Sequence, residues 1–422
     1  MGKPASRRRA YASGGVPRTV LHISQSDALG GSGRSAYRLH STLRKHGTTS
    51  RMLVGQRRTT DPDVRPLKRN IAWRAGDRIA GTIADSFDLQ YVFYPSSFGV
   101  ASDPWFRDAD VVQLYNTHGS YFSHTALPFL SRLRPVVWRL SDMWAFTGHV
   151  AYSYDCERWR HGCGSCPYLG EYPALSRDTT AALWRWKNAV YKRSKLTIVA
   201  PSRWIERLAS ESPLLSRFPI VRIPNGIDLE RFRRVPREEA RARLGLPQEG
   251  PVVLFSAPDV SDRRKGGALL NAALERLNGL PFRLLVAGAN ETPPFPRSFW
   301  SLTHLVDEAE IALSYAAADV FVLPTLAENL PNAALESVAS GTPCVSFDVG
   351  GVPDVVRHME TGYLAKLGDA DALAEGIRTL LADAQLRDRM GEACRTLAEA
   401  EFGAELEAKR FADLYDDVAT AA

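Results

Sequence analysis

The alternation of strand and helix patterns, repeated in both halves of the chain, constrains the fold more than any other feature of the sequence. Short apolar runs with the length of buried strands occur in the first half at residues 19–24, 51–54, 111–115, 136–140 and 197–200. The second half repeats them at residues 251–255, 283–287, 320–323 and 344–347. Strands that alternate with helices pair in parallel within doubly wound sheets. We therefore predict an α/β protein with two Rossmann-like lobes and a ligand cleft between them.

The length of 422 residues also favours two domains, because one hydrophobic core rarely serves so long a chain. The stretch that follows Asn225-Gly226 is rich in Arg, Glu and Pro, and it marks the boundary between the lobes. The predicted division has four parts: a basic flexible tail at 1–18, a first lobe at 19–228, a second lobe at 229–385 and charged amphipathic helices at 386–422.

The charge of the chain is mildly basic, with a formal net charge of +6. This excess suits phosphate-bearing substrates or an anionic membrane face, and it is too small to predict nucleic-acid binding in the absence of a recognised reading motif. The first residues have no apolar run typical of a secretory signal, so we expect a cytoplasmic protein. Five cysteines, an odd number, predict reduced thiols.

Glu328 and Glu336 flank the start of a predicted helix in the second lobe. Pro331 suits the first turn of that helix, because the N–H that proline lacks has no partner there. A helix start presents free N–H groups and a positive dipole end, which suits a diphosphate. Glu336 lies within reach of neighbouring hydroxyls such as those of a ribose, and Glu328 within reach of a sugar. Taken alone, the spacing is more typical of two solvated glutamates on a capped surface helix.

The surrounding segment, from Ala318 to Ala365, closely resembles the nucleotide-sugar site of the family-four retaining glycosyltransferases, which have the GT-B fold. The resemblance implies that Glu328 contacts the donor sugar and Glu336 the nucleotide ribose, with Asn329 and Leu330 in the same donor site. It implies that the first lobe binds the acceptor, that the second binds the donor, and that residues 386–422 pack back on the first lobe. The implied reaction is a retaining hexosyl transfer that uses no cofactor and, with no Asp-x-Asp pair placed to hold a divalent ion, no metal.

The glycine loop Gly30-Gly31-Ser32-Gly33 follows the first strand and opens a helix. Glycines at such a turn let the backbone approach a phosphate closely. The loop lacks the third glycine of a dinucleotide fingerprint and the Gly-Lys-Ser/Thr of a P-loop. It matches the glycine loop of the resembled family, which assigns Gly31 and Gly33 to donor binding.

A cationic loop, Arg263-Arg264-Lys265, follows the first strand of the second lobe. Three adjacent cations repel one another unless an anion or solvent neutralises them. Loops at the carboxyl ends of parallel strands line the ligand crevice, which favours a phosphate site over a solvated loop. The resemblance places a lysine and an arginine of this loop on the donor diphosphate. Lys265 matches the lysine, and Arg263 or Arg264 takes the place of the arginine, whose usual spacing falls near Asp259.

The block from Val136 to Pro173 resembles the subgroup that builds colanic acid and related exopolysaccharides. The subgroup has His-Asp where this chain has Ser141-Asp142, and that histidine lies near the donor sugar. We predict a catalytic role for Asp142 and for His149, eight residues beyond Ser141. His118 is a second candidate, and either histidine is equally explained as a structural residue with satisfied hydrogen bonds.

The cysteines of this block, Cys156, Cys163 and Cys166, have zinc-like spacing. His149 or His161 would complete a tetrahedral set of ligands. The alternative, buried thiols that pack an inserted loop, is the interpretation that we favour.

The sequence as a whole predicts a retaining glycosyltransferase that moves a sugar from a nucleotide-diphosphate sugar to a saccharide or polyprenyl-linked oligosaccharide in cell-surface polysaccharide or glycoconjugate biosynthesis. Aromatic and basic residues interleave between Trp184 and Trp204, a pattern that suits peripheral contact with the inner membrane face as well as a packed core. The alternatives are a nucleotide-sugar epimerase or sugar-phosphate synthase of the same fold, and a non-catalytic nucleotide-sugar-binding partner in a polysaccharide assembly complex.

Overall fold

The computed structural model describes residues 18–67, 70–256, 262–288, 295, 299–302 and 308–421. The predicted basic tail lies outside the described residues except for Arg18, and so does Asp259.

The N-terminal lobe is built on a seven-stranded parallel sheet. Its strands are β1 (Thr19–Ser26), β2 (Thr49–Gln56), β3 (Val64–Pro66), β4 (Val111–Leu114), β5 (Val136–Arg139), β6 (Thr197–Ala200) and β7 (Ile220–Arg222). They pair in the order β3-β2-β1-β4-β5-β6-β7. Strands β4 and β5 are buried at every position, because helices cover both faces of the sheet.

Seven helices belong to this lobe: α1 (Gly30–Lys45), α2 (Ile71–Ser86), α3 (Ser96–Gly99), α4 (Pro104–Asp108), α5 (Leu127–Leu133), α6 (Thr180–Tyr191) and α7 (Arg203–Glu211). Helix α1 buries Ala36, Leu39 and Leu43, which recur at helical spacing and face the sheet. The helical turn already begins at Gly30, so the glycine loop forms the first turn of α1.

The C-terminal lobe repeats the same topology with six parallel strands. These are β8 (Val252–Ser256), β9 (Arg283–Ala287), β10 (Phe299–Leu302), β11 (Val320–Leu323), β12 (Cys344–Phe347) and β13 (Gly362–Ala365), in the order β10-β9-β8-β11-β12-β13. Its helices are α8 (Arg237–Arg243), α9 (Gly267–Glu275), α10 (Glu308–Ala317), α11 (Asn332–Ala339), α12 (Ala370–Ala382) and α13 (Ala384–Glu401). In each lobe the chain runs outward to one edge and then returns past its first strand, so the strand order reverses next to that strand.

The last helix, α14 (Ala404–Thr420), returns to the N-terminal lobe. Phe411 and Tyr415 are fully buried there beside β1 and α1, and the Tyr415 hydroxyl donates to Oε1 of Gln113 over 2.7 Å. Helix α13 instead packs on the C-terminal lobe, where Cys394 belongs to the core. The segment 386–422 therefore divides between the lobes, with only α14 on the first.

Candidate active site in the cleft between the lobes

The carboxyl ends of the central strands of both sheets face one cleft of about 810 Å³. Ligands of open parallel sheets bind at this edge, where the strand order reverses. The predicted site residues that line the cleft are Gly31, Asp142, Arg264, Lys265, Glu328, Asn329, Leu330 and Glu336. Gly33, Arg263 and His149 are not among the lining residues.

The cationic loop is held against the end of β11 by Gly266. This residue has φ +70°, a conformation that side chains rarely adopt, and an added Cβ would lie 1.8 Å from the carbonyl oxygen of Pro324. The loop forms a short 3₁₀ turn from Arg263 to Lys265, whose start is capped by the side chain of Asp262. Glycine therefore lets the cationic turn approach the backbone that leads to Glu328.

Glu328 joins two cations of this turn. Its Oε1 accepts from Nζ of Lys265 over 2.8 Å and from Nη1 of Arg264 over 2.6 Å. Burial by itself raises the pKa of Glu328, but Lys265 and Arg264 outweigh burial and hold this pKa below its ordinary value. Nη2 of Arg264 also lies 3.5 Å from Oδ2 of Asp262, so the two cations pair with two carboxylates, and all four residues line the cleft.

Glu336 lies in the second turn of α11 and is 7% exposed. Its Oε2 accepts a hydrogen bond of 3.0 Å from the hydroxyl of Tyr315. Burial raises the pKa of Tyr315, and the neighbouring Glu336 carboxylate raises it further. The tyrosine therefore remains protonated and donates the hydrogen bond. This contact orients the carboxylate at the cleft, where Arg34 of α1 also lies.

The start of α11 meets the glycine loop across the cleft. Asn332 donates from Nδ2 to the carbonyl oxygen of Gly31 over 3.0 Å. Nearby, the Ser202 hydroxyl donates to Oδ1 of Asn329 over 2.7 Å. Gly33 has a packing role instead, since an added Cβ would lie 3.0 Å from the carbonyl oxygen of Ser26. The helix start predicted to bind phosphate is thus positioned by both lobes.

Asp142 forms the centre of a polar group on the N-terminal wall of the cleft. Its Oδ2 lies 3.0 Å from Nε2 of His118, and Nδ1 of His118 lies 3.3 Å from the hydroxyl of Tyr172. All three residues line the cleft. Ser141, which replaces the histidine of the resembled subgroup, pairs instead with Ser32 of the glycine loop, with the two hydroxyl oxygens 2.9 Å apart.

The structure places His149 away from the predicted position near the donor sugar. Its Nδ1 lies 2.8 Å from the carbonyl oxygen of Pro173, and its Nε2 lies 3.4 Å from Sγ of Cys166. The preceding Gly148 packs tightly on Thr180, where an added Cβ would lie 2.6 Å from the Cβ of Thr180. The histidine that lines the cleft is His118.

The three cysteines surround a small separate cavity with His149. Burial raises the pKa of Cys163 to about 12 and also raises the pKa of Cys166, so these thiols are protonated at neutral pH. In the described ranges, no group of three or more histidine, cysteine or acidic side chains has the arrangement of a metal site.

Arg263 is not among the lining residues, and its Nη1 pairs with Oε1 of Glu171 at the N-terminal wall of the cleft over 3.1 Å. Arg264 is consequently the arginine of the cationic turn that faces the cleft. Three Asp-x-Asp pairs do occur in the sequence, at 61/63, 108/110 and 369/371. Among the residues the structure describes, none of these six carboxylates lines the cleft, and Asp61 and Asp63 both pair with Arg44.

Several cleft residues escaped the sequence analysis: Arg34, Tyr152, Tyr172, Tyr315 and Asn332. Asn332 carried a signal, since it directly follows the proline that starts α11. Tyr315 carried none, because it lies on the preceding helix and meets Glu336 only through packing of α10 on α11.

Sequence comparisons find similarity to glycosyltransferases. Residues 250–383 match the family model described as glycosyl transferases group 1. The chain is 28% identical over 326 residues to a D-inositol 3-phosphate glycosyltransferase of Streptomyces avermitilis, a match that covers 70% of this chain and 68% of that protein. It is 29% identical over 250 residues to the putative teichuronic acid biosynthesis glycosyltransferase TuaC of Bacillus subtilis, covering 58% of this chain and 61% of TuaC.

Comparisons of structure extend over both lobes. Sucrose-phosphate synthase from Thermosynechococcus elongatus superposes with a TM-score of 0.66 at 20% identity, covering 96% of this chain and all of that chain. Anabaena HepE in complex with UDP-glucose superposes with a TM-score of 0.65 at 15% identity, covering 94% and 99% of the two chains. The predicted two-lobe fold is confirmed: the chain has the GT-B fold, and residues 250–383 of its C-terminal lobe are similar to the glycosyl transferases group 1 family.

Proposed function

We propose that this protein transfers a sugar from a nucleotide-diphosphate sugar to a hydroxyl of a saccharide acceptor, with retention of configuration and without a metal ion. The observation that carries the proposal is the cationic turn beside Glu328, where Lys265 and Arg264 share the carboxylate of Glu328 at the edge of the cleft. A diphosphate can accept hydrogen bonds both from the cations of such a turn and from the free N–H groups of a helix start.

Donor binding rearranges this ion-pair group. The diphosphate oxygens take up the N–H donors of Lys265, Arg264 and the first turn of α11. Glu328, relieved of part of its pairing, then hydrogen-bonds hydroxyls of the donor sugar. Glu336, oriented by Tyr315, binds the ribose hydroxyls.

In the transfer step, the bond between the anomeric carbon and the diphosphate oxygen breaks. The acceptor oxygen bonds to the same face of that carbon, and its proton passes to the departing phosphate oxygen. Negative charge grows on the leaving diphosphate, so Lys265 and Arg264 stabilise the transition state more than the ground state. In this mechanism no cofactor takes part. Closure of the lobes, which already touch through Asn332 and Gly31, excludes water.

The acceptor approaches from the N-terminal wall, where Asp142, His118 and Tyr172 present polar groups to the cleft. We propose a saccharide or polyprenyl-linked oligosaccharide acceptor of a cell-surface polysaccharide or glycoconjugate pathway, at the cytoplasmic face of the membrane. The similarity to a teichuronic acid biosynthesis glycosyltransferase and the resemblance of residues 136–173 to exopolysaccharide enzymes support this acceptor class.

A thermal-shift screen of UDP-, GDP- and ADP-sugars identifies the donor, and transfer of its labelled sugar to extracted lipid-linked acceptors tests the reaction. We expect product with an α-linkage from an α-linked donor, at an undiminished rate in excess EDTA. Epimerised donor without transfer would establish the epimerase alternative. Transfer to a free sugar phosphate would establish the synthase. Donor binding without turnover on any acceptor would support the non-catalytic partner and refute the enzyme.

A further inference from the structure

Helix α2 exposes its largest apolar side chains to solvent. Ile71 is 86% exposed, Ile79 62%, Ile83 57% and Phe87, just beyond the helix, 60%. Ile79, Ile83 and Phe87 follow one another at four-residue spacing and form a stripe, and Ile71 is exposed in the first turn of the helix. A helix of a globular protein ordinarily turns such a stripe toward the core.

The opposite face of α2 shows why the stripe points outward. The buried residues of this helix are Asp77 and Gly81. Oδ1 of Asp77 accepts from the backbone N–H of Ser96 over 3.0 Å, and Gly81 faces the ring of Tyr94. The face of α2 that packs on the lobe therefore includes small and polar residues. The apolar stripe lies on the other face and meets solvent.

The same lobe exposes further large apolar side chains. Phe93 and Phe129 are 44% and 42% exposed, and both rings pack on Phe98, at centroid distances of 6.3 and 6.2 Å. Leu133, one turn beyond Phe129, is 43% exposed. Seven of the eleven large apolar side chains that are exposed among the described residues therefore lie between positions 71 and 133. We call these seven residues the α2 surface: Ile71, Ile79, Ile83, Phe87, Phe93, Phe129 and Leu133.

Cations border the α2 surface. Arg74 and Arg78 are exposed one turn apart along one edge of the stripe, and Arg132 is exposed beside Leu133. The exposed acid of α2 is Asp85, in its last turn. An exposed apolar stripe with arginines along its edge suits a helix that lies in the headgroup region of an anionic bilayer. No helix among the described residues combines the length and apolarity needed to cross a bilayer.

The segment that leaves α2 reaches the acceptor wall of the cleft. The ring of Tyr91 lies 5.8 Å from that of Trp144, which follows Asp142 by two residues. Gln90 donates to the carbonyl oxygen of Ala174, and the backbone N–H of Ser176 donates to Asp88 over 2.9 Å. A membrane that holds the α2 surface would therefore lie next to the wall at which the acceptor enters.

We infer that the α2 surface docks this protein on an anionic lipid bilayer and so presents the acceptor wall to substrates held in that membrane. The inference deepens the proposed function and rests on it for the lipid-linked class of acceptor. The docking itself is independent of catalysis, because none of the seven residues lines the cleft.

Co-sedimentation of the full chain with vesicles tests the docking. We expect binding to vesicles of equimolar phosphatidylglycerol and phosphatidylcholine, and much weaker binding to pure phosphatidylcholine. The double variant Ile79→Ser/Ile83→Ser should bind the anionic vesicles at least about tenfold more weakly, because two apolar anchors are lost. The variant Arg74→Gln/Arg78→Gln should also bind the anionic vesicles about tenfold more weakly, since two cations no longer face the negative charge of the lipids.

The matched control is Met359→Ser/Leu367→Ser, which removes two apolar side chains of the C-terminal lobe that are 44% and 48% exposed. This control should bind vesicles as the wild type does, and all variants should keep wild-type donor binding and donor hydrolysis. Absent vesicle binding by the wild type, or an equal loss in the control, would overturn the docking. So would a wild-type dimer that the Ile79→Ser/Ile83→Ser change separates, because the surface would then join two copies. Vesicle binding without any sugar transfer would instead refute the proposed function alone.

Discussion

Lys265 and Glu328, 63 positions apart in the chain, form an ion pair of 2.8 Å at the mouth of the C-terminal sheet. Arg264 joins the same carboxylate oxygen, so contacts within the C-terminal lobe assemble the group that we expect to hold the donor diphosphate. Preassembled charges stabilise a transition state without the energetic cost of reorganising solvent.

Glu328→Gln should slow sugar transfer about 10- to 100-fold and lower the free energy of unfolding by up to about 3 kcal/mol, because Lys265 and Arg264 lose a largely buried ionic partner. The amide preserves the shape of the side chain, but its neutral oxygen binds the two cations and the donor sugar more weakly. Initial rates at saturating donor, with urea denaturation as the control for folding, check both parts. A wild-type rate would remove Glu328 from the site.

Lys265→Ala should reduce kcat about 100-fold or more, because the lysine acts on charge that grows as the diphosphate leaves. Lys366→Ala provides a matched control, since Lys366 is exposed in the same lobe outside the cleft. Steady-state kinetics of the two variants separate a local effect from a general loss of positive charge. Equal rates in both variants would contradict the assignment of the diphosphate to this turn.

Glu336→Ala should weaken donor binding by about 1–3 kcal/mol, the usual loss for a hydrogen bond to a charged group. Tyr315→Phe should cost less, about 0.5–1.5 kcal/mol, because it removes only the hydroxyl that orients Glu336. Calorimetric titration with the free nucleoside diphosphate measures both. A larger effect in Tyr315→Phe than in Glu336→Ala would indicate that the ribose lies elsewhere.

His118→Ala and His149→Ala distinguish the two candidate histidines. His118 lines the cleft beside Asp142, whereas His149 faces the cysteines. His118→Ala should therefore lower kcat about 10- to 100-fold with donor affinity unchanged. His149→Ala should leave kcat near the wild-type value and lower the melting temperature. The reverse pattern would restore the prediction made for His149 from the sequence.

Lys187 gives stability a specific dependence on pH. It is 1% exposed, and its Nζ donates to the carbonyl oxygens of Trp144 and Thr147. Burial lowers its pKa from 10.5 to about 7. Between these values the unfolded chain binds the proton that the folded protein has released, so the free energy of unfolding rises with pH, by up to about 1.4 kcal/mol per unit.

The variant Lys187→Met lacks this titration. Its free energy of unfolding should therefore change less steeply than that of the wild type as the pH rises from about 7 toward 10. Urea denaturation of both proteins at several pH values measures the difference between the two slopes. Parallel curves would show that Lys187 keeps an ordinary pKa.

Local pattern accounts for what the sequence predicted well. Strands such as β4 and β11 are continuous apolar runs, because strands at the centre of a parallel sheet are buried on both faces. The strands that went unpredicted are β3, β7, β10 and β13. β3 and β7 have three residues each, β10 is only partly buried, and β13 begins with a glycine. Such strands have too few consecutive apolar residues to be recognised from the sequence. They form because they pair with neighbouring strands in the sheet.

The sequence by itself determined the two-lobe α/β fold and the helix start at Pro331, because these follow from periodicity and from residues adjacent in the chain. Tertiary structure decided which arginine and which histidine enter the cleft, since Arg264 and His118 meet their partners only through packing of distant segments. It also decided the direction of the stripe on α2. An apolar stripe shows that a helix has two faces, but only its neighbours determine which face meets solvent.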